Sequence, residues 1–375
     1  MIRSLFDTKI VQVPKTQGIK YTGSKLKLLP HILRMVSALD VQSVLDGFSG
    51  STRVSQAFAQ CGYQVTANDT AVWSEVLGTC YLKNRKHPQE YKKLIEHLNH
   101  VPAEDGWFTA HYGGLPNAGS AIQADGLKRP WQIHNTRKLD GIRAEIDRLL
   151  LDSVSKAVVL TSLMLAMDEV DSTLGHYSSY LAAWSPRSYR MMRLKVPQLF
   201  QNEMKHTIVR NDIFETIRDR KFDFAYFDPP YGSNNEKMPP SRVRYNAYYH
   251  VWATVCLNDK PELFGRAKRR SDTSDTESAS VFEEFRRGEN GRFLAVEAIE
   301  RLIHHTNARY ILLSYSSGGK STAEEFFETI NSQGHLLEMM EIDYKKNVMS
   351  TMKWTHEWTS EAEKPNREFL FLLKK

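Results

Sequence analysis

Apolar and polar positions alternate along this chain with two different periods, and the stretches where each holds predict its elements. "SVLDGFS" (43–49) reads as a short apolar strand ending in Asp46. A glycine–serine turn follows, then "TRVSQAFAQCG" with Val54, Phe58 and Cys61 at helical spacing, then "YQVTANDTA", a second short strand ending near Asp69. Strand, turn, helix and strand in that order form a βαβ unit and predict a parallel sheet with helices outside it. The alternation resumes with "HTIVRNDIFETI" (206–217), a strand ending at Asp212 and a following helix, and with "FDFAYF" (222–227), another strand. The pattern then predicts a helix over 291–307, a strand over 308–317, a helix over 322–334, and strands over 335–344 and 367–375.

Residues 81–205 break this rhythm. They combine irregular stretches such as "GWFTAHYGGLPNAGSAIQADG" with helical periodicity through 139–167, where Leu149, Leu150, Val158 and Leu163 are expected in a core. The prediction is an α/β catalytic part made of 1–80 and 206–375, with a helical and irregular lobe inserted at 81–205. Residues 258–290, which include "GRAKRRSDTSDTESAS", are polar and charged and predict a loop or flexible linker.

Composition changes this picture mainly by exclusion. No apolar run approaches the ~18 residues of a membrane span, and the N-terminal stretch lacks the pattern of a secretory signal. Three scattered cysteines argue for a reducing cytoplasm and against a disulfide framework or zinc site, so no metal is expected. Fifty basic against 44 acidic residues give a formal charge of +6, which permits nucleic-acid binding without establishing it.

The candidate chemistry lies at strand ends, where ligands bind in parallel sheets. "DGFSGS" (46–51) lets backbone amides approach a ligand, but its spacing is not that of a pyrophosphate loop, and its acids would repel phosphates. Asp46 and Asp69 suit a ligand carrying an amino acid and a ribose, such as S-adenosylmethionine. A purely structural turn, with Asp69 as a helix cap, explains the same residues. Lys25 precedes an amphipathic helix; a lysine near a positive helix N-terminus is mildly unfavourable and hints at a carboxylate partner such as a methionine tail. In "FDFAYFDPPYG" (222–232), Asp228 and the Pro229 carbonyl can accept hydrogen bonds from one amino group. Tyr231 offers a stacking face worth ~1–3 kcal/mol to a base.

Together, "KYTGSK", "VLDGFSGSTRVS" and "YFDPPYG" resemble, in order and spacing, the cofactor, glycine and catalytic motifs of the Dam-like adenine-N6 DNA methyltransferases, with cofactor segments first. The resemblance covers about 18–75 and 206–375 and implies a Rossmann-like class I methyltransferase fold dependent on S-adenosyl-L-methionine. Carried over by position, it implies that Tyr21, Lys25, Asp46, Phe48, Gly50, Asp69, Asp212 and Ile213 bind the cofactor. Asp228, Pro229, Pro230 and Tyr231 would hold the target base. Two departures stand out: the family's motifs usually have glycine where Thr52 stands, and often where Ser24 stands. "TLGHYSSYL" (173–181) resembles a segment of some restriction-associated members; a cognate restriction endonuclease, where one exists, would be encoded separately.

Double-stranded DNA is the expected substrate, with the base flipped out of the helix at a cost of a few kcal/mol. Arg242, Arg244 and Tyr245, beyond the catalytic motif, are expected near DNA. His176, Arg187 and Arg190, with Tyr177 and Trp184, are the lobe's candidate contacts, each against a plain packing or solvated role. Cytosine-N4 methylation, a non-catalytic DNA-binding protein and a nucleotide-dependent oxidoreductase are the alternatives; the last leaves "DPPY" unexplained.

Overall fold

A computed structural model describes residues 12–230, 245–274, 280–284, 286–316, 323–343 and 367–375. Its centre is a seven-stranded sheet of β1 (Ser43–Asp46), β2 (Gln64–Asp69), β3 (Thr207–Arg210), β4 (Lys221–Phe227), β5 (Asn307–Ser316), β6 (His335–Asp343) and β7 (Arg367–Lys374). The spatial order is β6-β7-β5-β4-β1-β2-β3. The pairs β1–β2, β1–β4, β2–β3 and β4–β5 are parallel, whereas β7 runs antiparallel to both β5 and β6.

Side chains alternate across a strand, so each strand feeds two cores. Val44, Phe224, Tyr226, Leu312, Leu370 and Leu372 face one side with Leu33, Val36, Val54 and Phe58, from helices Leu29–Ser37 and Arg53–Gln60. Leu45, Ala225, Phe227, Leu313 and Phe371 face the other with Ile217, Ile299 and Leu302, from helices Ile213–Ile217 and Leu294–His305. Burial on both faces explains why these strands read as nearly continuous apolar runs.

A third core lies among further helices. It joins residues of Ile133–Arg148 and Ser153–Glu169 to Trp73, Leu77 and Cys80 on one flank and Tyr249, Trp252 and Val255 on the other. This packing unit therefore reaches beyond 81–205 in both directions. The helical periodicity through 139–167 resolves into two helices rather than one. The chain breaks at Leu149–Asp152, where Leu150 takes a left-handed φ of 45°. Leu150 is 90% exposed, so it is not a core residue. Asp152 restarts the helix by accepting from the Ser155 amide at 2.9 Å. Part of 258–290 is also more regular than its composition suggests: Leu263–Phe264 pairs antiparallel with Arg269–Arg270.

Thr52, where the resembled motif has glycine, caps helix Arg53–Gln60 with φ 59° and is fully buried. A β-branched residue in that region is strained. Its Oγ1 accepts from Gln56 Nε2 at 3.0 Å. Thr52→Gly is therefore expected to be more stable than Thr52→Ala by about 1 kcal/mol, reversing the usual order of the two residues near a helix. Urea unfolding of the two variants measures this; an alanine variant equal to or better than the glycine variant counts against strain at this position.

Candidate active site

The ends of β1, β2 and β4 and the start of helix Ile213–Ile217 open into one cavity of about 600 Å³. Its lining includes Tyr21, Lys25, Asp46, Phe48, Gly50, Asp69, Asp212, Ile213, Asp228, Pro229, Pro230 and Tyr245. Sequence reasoning placed these residues at separate motifs; the sheet brings them to a single edge. Tyr231, Arg242 and Arg244 lie outside the described residues.

The turn after β1 is built for close approach. A Cβ at Gly47 would lie 2.5 Å from the Phe227 ring, and Gly50 has φ 45° beneath the Tyr21 ring. Asp69 holds the turn: Oδ2 accepts from the Gly50 amide at 2.8 Å and Oδ1 from the Ala71 amide at 2.9 Å. The cap role and the cavity position thus coexist in one carboxylate. Buried Asn68 supports the same turn, donating to the Gly47 carbonyl at 3.0 Å and accepting from Thr216 Oγ1 at 2.7 Å.

Asp46 is 1% exposed. Ser55 Oγ donates to its Oδ2 at 2.5 Å, while Oδ1 has no hydrogen-bond partner among the described residues. Burial pushes this carboxyl up to about 7, opposed by the Ser55 bond and reinforced by Asp228 and Asp69. Asp212 Oδ1 accepts from the Phe214 amide at 2.8 Å and so caps its helix at the cavity rim. Phe48 meets Phe282 edge-on with centroids 5.2 Å apart, and Phe282 stacks on Phe214 at 5.8 Å. These rings and Ile213 make an apolar slot.

The opposite wall is also aromatic. Tyr21 stacks on Tyr249 at 4.7 Å and lies 5.6 Å from Tyr245 and 5.7 Å from Trp73. Tyr249 Oη accepts from the Thr22 amide at 2.5 Å. Burial raises the Tyr21 hydroxyl well above its ordinary range, so this ring stays neutral.

Lys25 does have carboxylate partners, and the ones seen belong to the protein. Its Nζ lies 3.0 Å from Asp228 Oδ1 and also pairs with Glu368 on β7. Glu368 in turn accepts from Ser314 Oγ at 3.1 Å. Burial pushes Asp228 up to about 7; Lys25 opposes this and Glu368 adds to it. Glu368, Asn68, Trp73, Tyr249 and Phe282 carried no local sequence signal, because each reaches the site only through tertiary packing.

The lobe candidates differ in their surroundings. His176 is 4% exposed and stacks on Tyr248 at 4.6 Å. Arg187 is drawn inward by Asp171, with Nε 2.8 Å and Nη2 2.7 Å from Oδ1. Lys20, beside Tyr21, reaches the same carboxylate at 2.6 Å, and its amide donates to Asp168 at 2.8 Å. A fully buried aspartate thus clamps the segment carrying Tyr21 to the lobe. Arg190 is exposed, with Nη2 donating to the Glu169 carbonyl at 2.7 Å.

A mainly parallel sheet with this strand order, an antiparallel β7, and acids at adjoining strand ends has the Rossmann-like methyltransferase fold. A family model for the D12 class N6 adenine-specific DNA methyltransferases matches residues 21–283, and the chain belongs to that family. Modification methylase StsI of Streptococcus sanguinis is 27% identical over 354 residues, covering 88% of this chain and 48% of that protein. Type II methyltransferase M.FokI of Planomicrobium okeanokoites is 26% identical over 368 residues, covering 95% and 53% respectively. Type II methyltransferase M.NlaIII of Neisseria lactamica is 23% identical over 338 residues, covering 88% and 92%. The chain spans about half the length of the first two relatives. Among the described residues, no helix is long and apolar enough to cross a membrane.

Proposed function

We propose that this chain transfers a methyl group from S-adenosyl-L-methionine to N6 of adenine in duplex DNA. It would be the modification half of a restriction–modification system, acting in the cytoplasm, with its endonuclease encoded separately. One observation carries the reading: Asp228 and Pro229 border the same cavity as Asp46, Asp69 and Asp212.

The donor set fits the cofactor. A volume of about 600 Å³ lies in the range of small-ligand sites. The unpartnered Oδ1 of Asp46 suits a cationic amino group. Asp69 retains lone pairs for ribose hydroxyls, and the Phe48–Phe282 slot with Ile213 suits a purine ring. When bound, the cofactor supplies an electrophilic methyl on a positively charged sulfur. The protein orients and desolvates the reactants. Asp228 and the Pro229 carbonyl accept from the adenine amino group, which keeps its lone pair on nitrogen. After attack the nitrogen is acidic, and its proton passes to Asp228 or to water. Tyr245 stands at the cavity wall, and the lobe with Arg190 would meet the duplex.

Unmethylated DNA incubated with the protein and S-adenosyl-L-methionine, then digested to nucleosides, is expected to yield N6-methyladenine. N4-methylcytosine in its place overturns the base assignment, and absence of any methylated base overturns the enzyme reading.

Affinity for this cationic cofactor is expected to rise with pH. Asp46 and Asp228 are raised to about 7, so both are largely neutral in mildly acidic solution. A positive ligand favours their ionised forms, and affinity should climb by up to about tenfold per pH unit for each of the two groups and level off above neutrality. In the unliganded protein the same shifts act on stability: it is full below the ordinary carboxyl range and declines as pH rises through about 7. Titration calorimetry in buffers of different ionisation enthalpy reads the linked proton release; a flat profile contradicts the assignment.

A further inference from the structure

The hairpin Leu263–Phe264/Arg269–Arg270 carries four basic residues whose fates differ. Arg270 is 5% exposed and held by Asp259 at 2.7 and 2.8 Å and by Asp272 at 2.7 Å, so it anchors the hairpin from within. The Arg269 guanidinium lies 4.6 Å over the Phe264 ring. Arg266 is exposed and Lys268 half-buried, both in the turn between the strands.

That turn is fastened rather than loose. Buried Tyr112 donates to the Lys268 carbonyl at 2.8 Å, and buried Tyr180 donates to the Ala267 carbonyl at 2.7 Å. Gly265 and Lys268 both adopt left-handed backbone, with φ 69° and 51°. Burial, then Arg129, push the Lys268 ammonium below its ordinary range, with Asp125 opposing. His111 is pushed down by burial and then by Lys268 and Arg129. Asp125 is already engaged by Arg129 at 2.6 Å. Arg266 and Lys268 stand two positions apart on a pinned backbone, and an anion shared between them offsets their mutual repulsion. A solvated lysine-rich loop needs no such fastening.

We infer that the Gly265–Lys268 turn is a docking surface for the DNA backbone, with Arg266 and Lys268 taking phosphates. The inference rests on the DNA reading above. It assigns this hairpin a positioning role that carries no sequence information of its own.

The test is binding of labelled duplex DNA by the full chain across a salt series, for wild type and for Arg266→Ala/Lys268→Ala. The slope of log affinity against log salt is expected to become shallower by about 0.9 for each phosphate no longer neutralised, close to 2 for the pair. Cognate and unrelated duplexes should weaken alike. Arg266→Lys/Lys268→Arg should keep the wild-type slope. Arg266→Glu, at an exposed position, should weaken binding whether or not the double variant folds. A slope unchanged in the double variant, or an Arg266→Glu protein binding as wild type, overturns the inference. Wild-type protein with no salt-dependent DNA affinity overturns the DNA reading itself.

Discussion

Asp228→Ala is expected to lower methyl transfer by about 10²–10³-fold at saturating cofactor and DNA, the size of losing one preorganised polar partner of the reacting group. The reason is positional. Asp228 follows β4 at the cavity, and Lys25 holds its carboxylate at 3.0 Å. Removing it takes away the acceptor for the amino group but leaves Lys25 with Glu368, so the fold should persist. Single-turnover kinetics with a labelled methyl group read the effect on the transfer step. A variant within about tenfold of wild type would remove Asp228 from the chemistry.

Asp171→Ala is expected to destabilise the protein by about 3 kcal/mol, because the change strands several donors that a buried carboxylate satisfied. Lys20, Arg187 and Thr173 Oγ1 all reach Asp171 within 2.8 Å. Lys20 and Arg187 are each about one-third exposed and recover some hydration, which keeps the loss at the lower end for a broken buried pair. Lys20 adjoins Tyr21, so cofactor affinity should fall as well, while Arg190→Ala should leave it unchanged. Urea unfolding followed by cofactor titration tests both; a stability loss under about 1 kcal/mol would mean the clamp is not a clamp.

The strand-end acids were legible because apolar strands, glycine turns and prolines leave local marks. An apolar run ending in Asp46, Asp69 or Asp228 announces both the element and its edge. The break at Leu150 was less legible: the apolar spacing continues through it, and only its left-handed backbone interrupts the helix. The ion pair of Arg187 leaves no local mark, because its partner Asp171 lies 16 positions away. Glu368 is the extreme case. It lies 343 positions from Lys25, and no pattern within a window connects them. The segment around 263–270 read as a linker because its ordering bonds come from Tyr112 and Tyr180, far upstream. Local patterns therefore mark the scaffold and the strand ends that border the cavity, whereas the ionic supports there depend on long-range packing.

The placement of β7 between β5 and β6 sets an order of assembly. These two strands are synthesised first, yet they do not pair with each other; each pairs with β7. A nascent chain on the ribosome can fold the parallel βαβ unit early, but it carries unsatisfied edges until residues 367–374 emerge. Such edges invite pairing with other chains. The strand that closes them also delivers Glu368 to Lys25. Completion of the sheet and completion of the ionic network beside Asp228 are thus the same event.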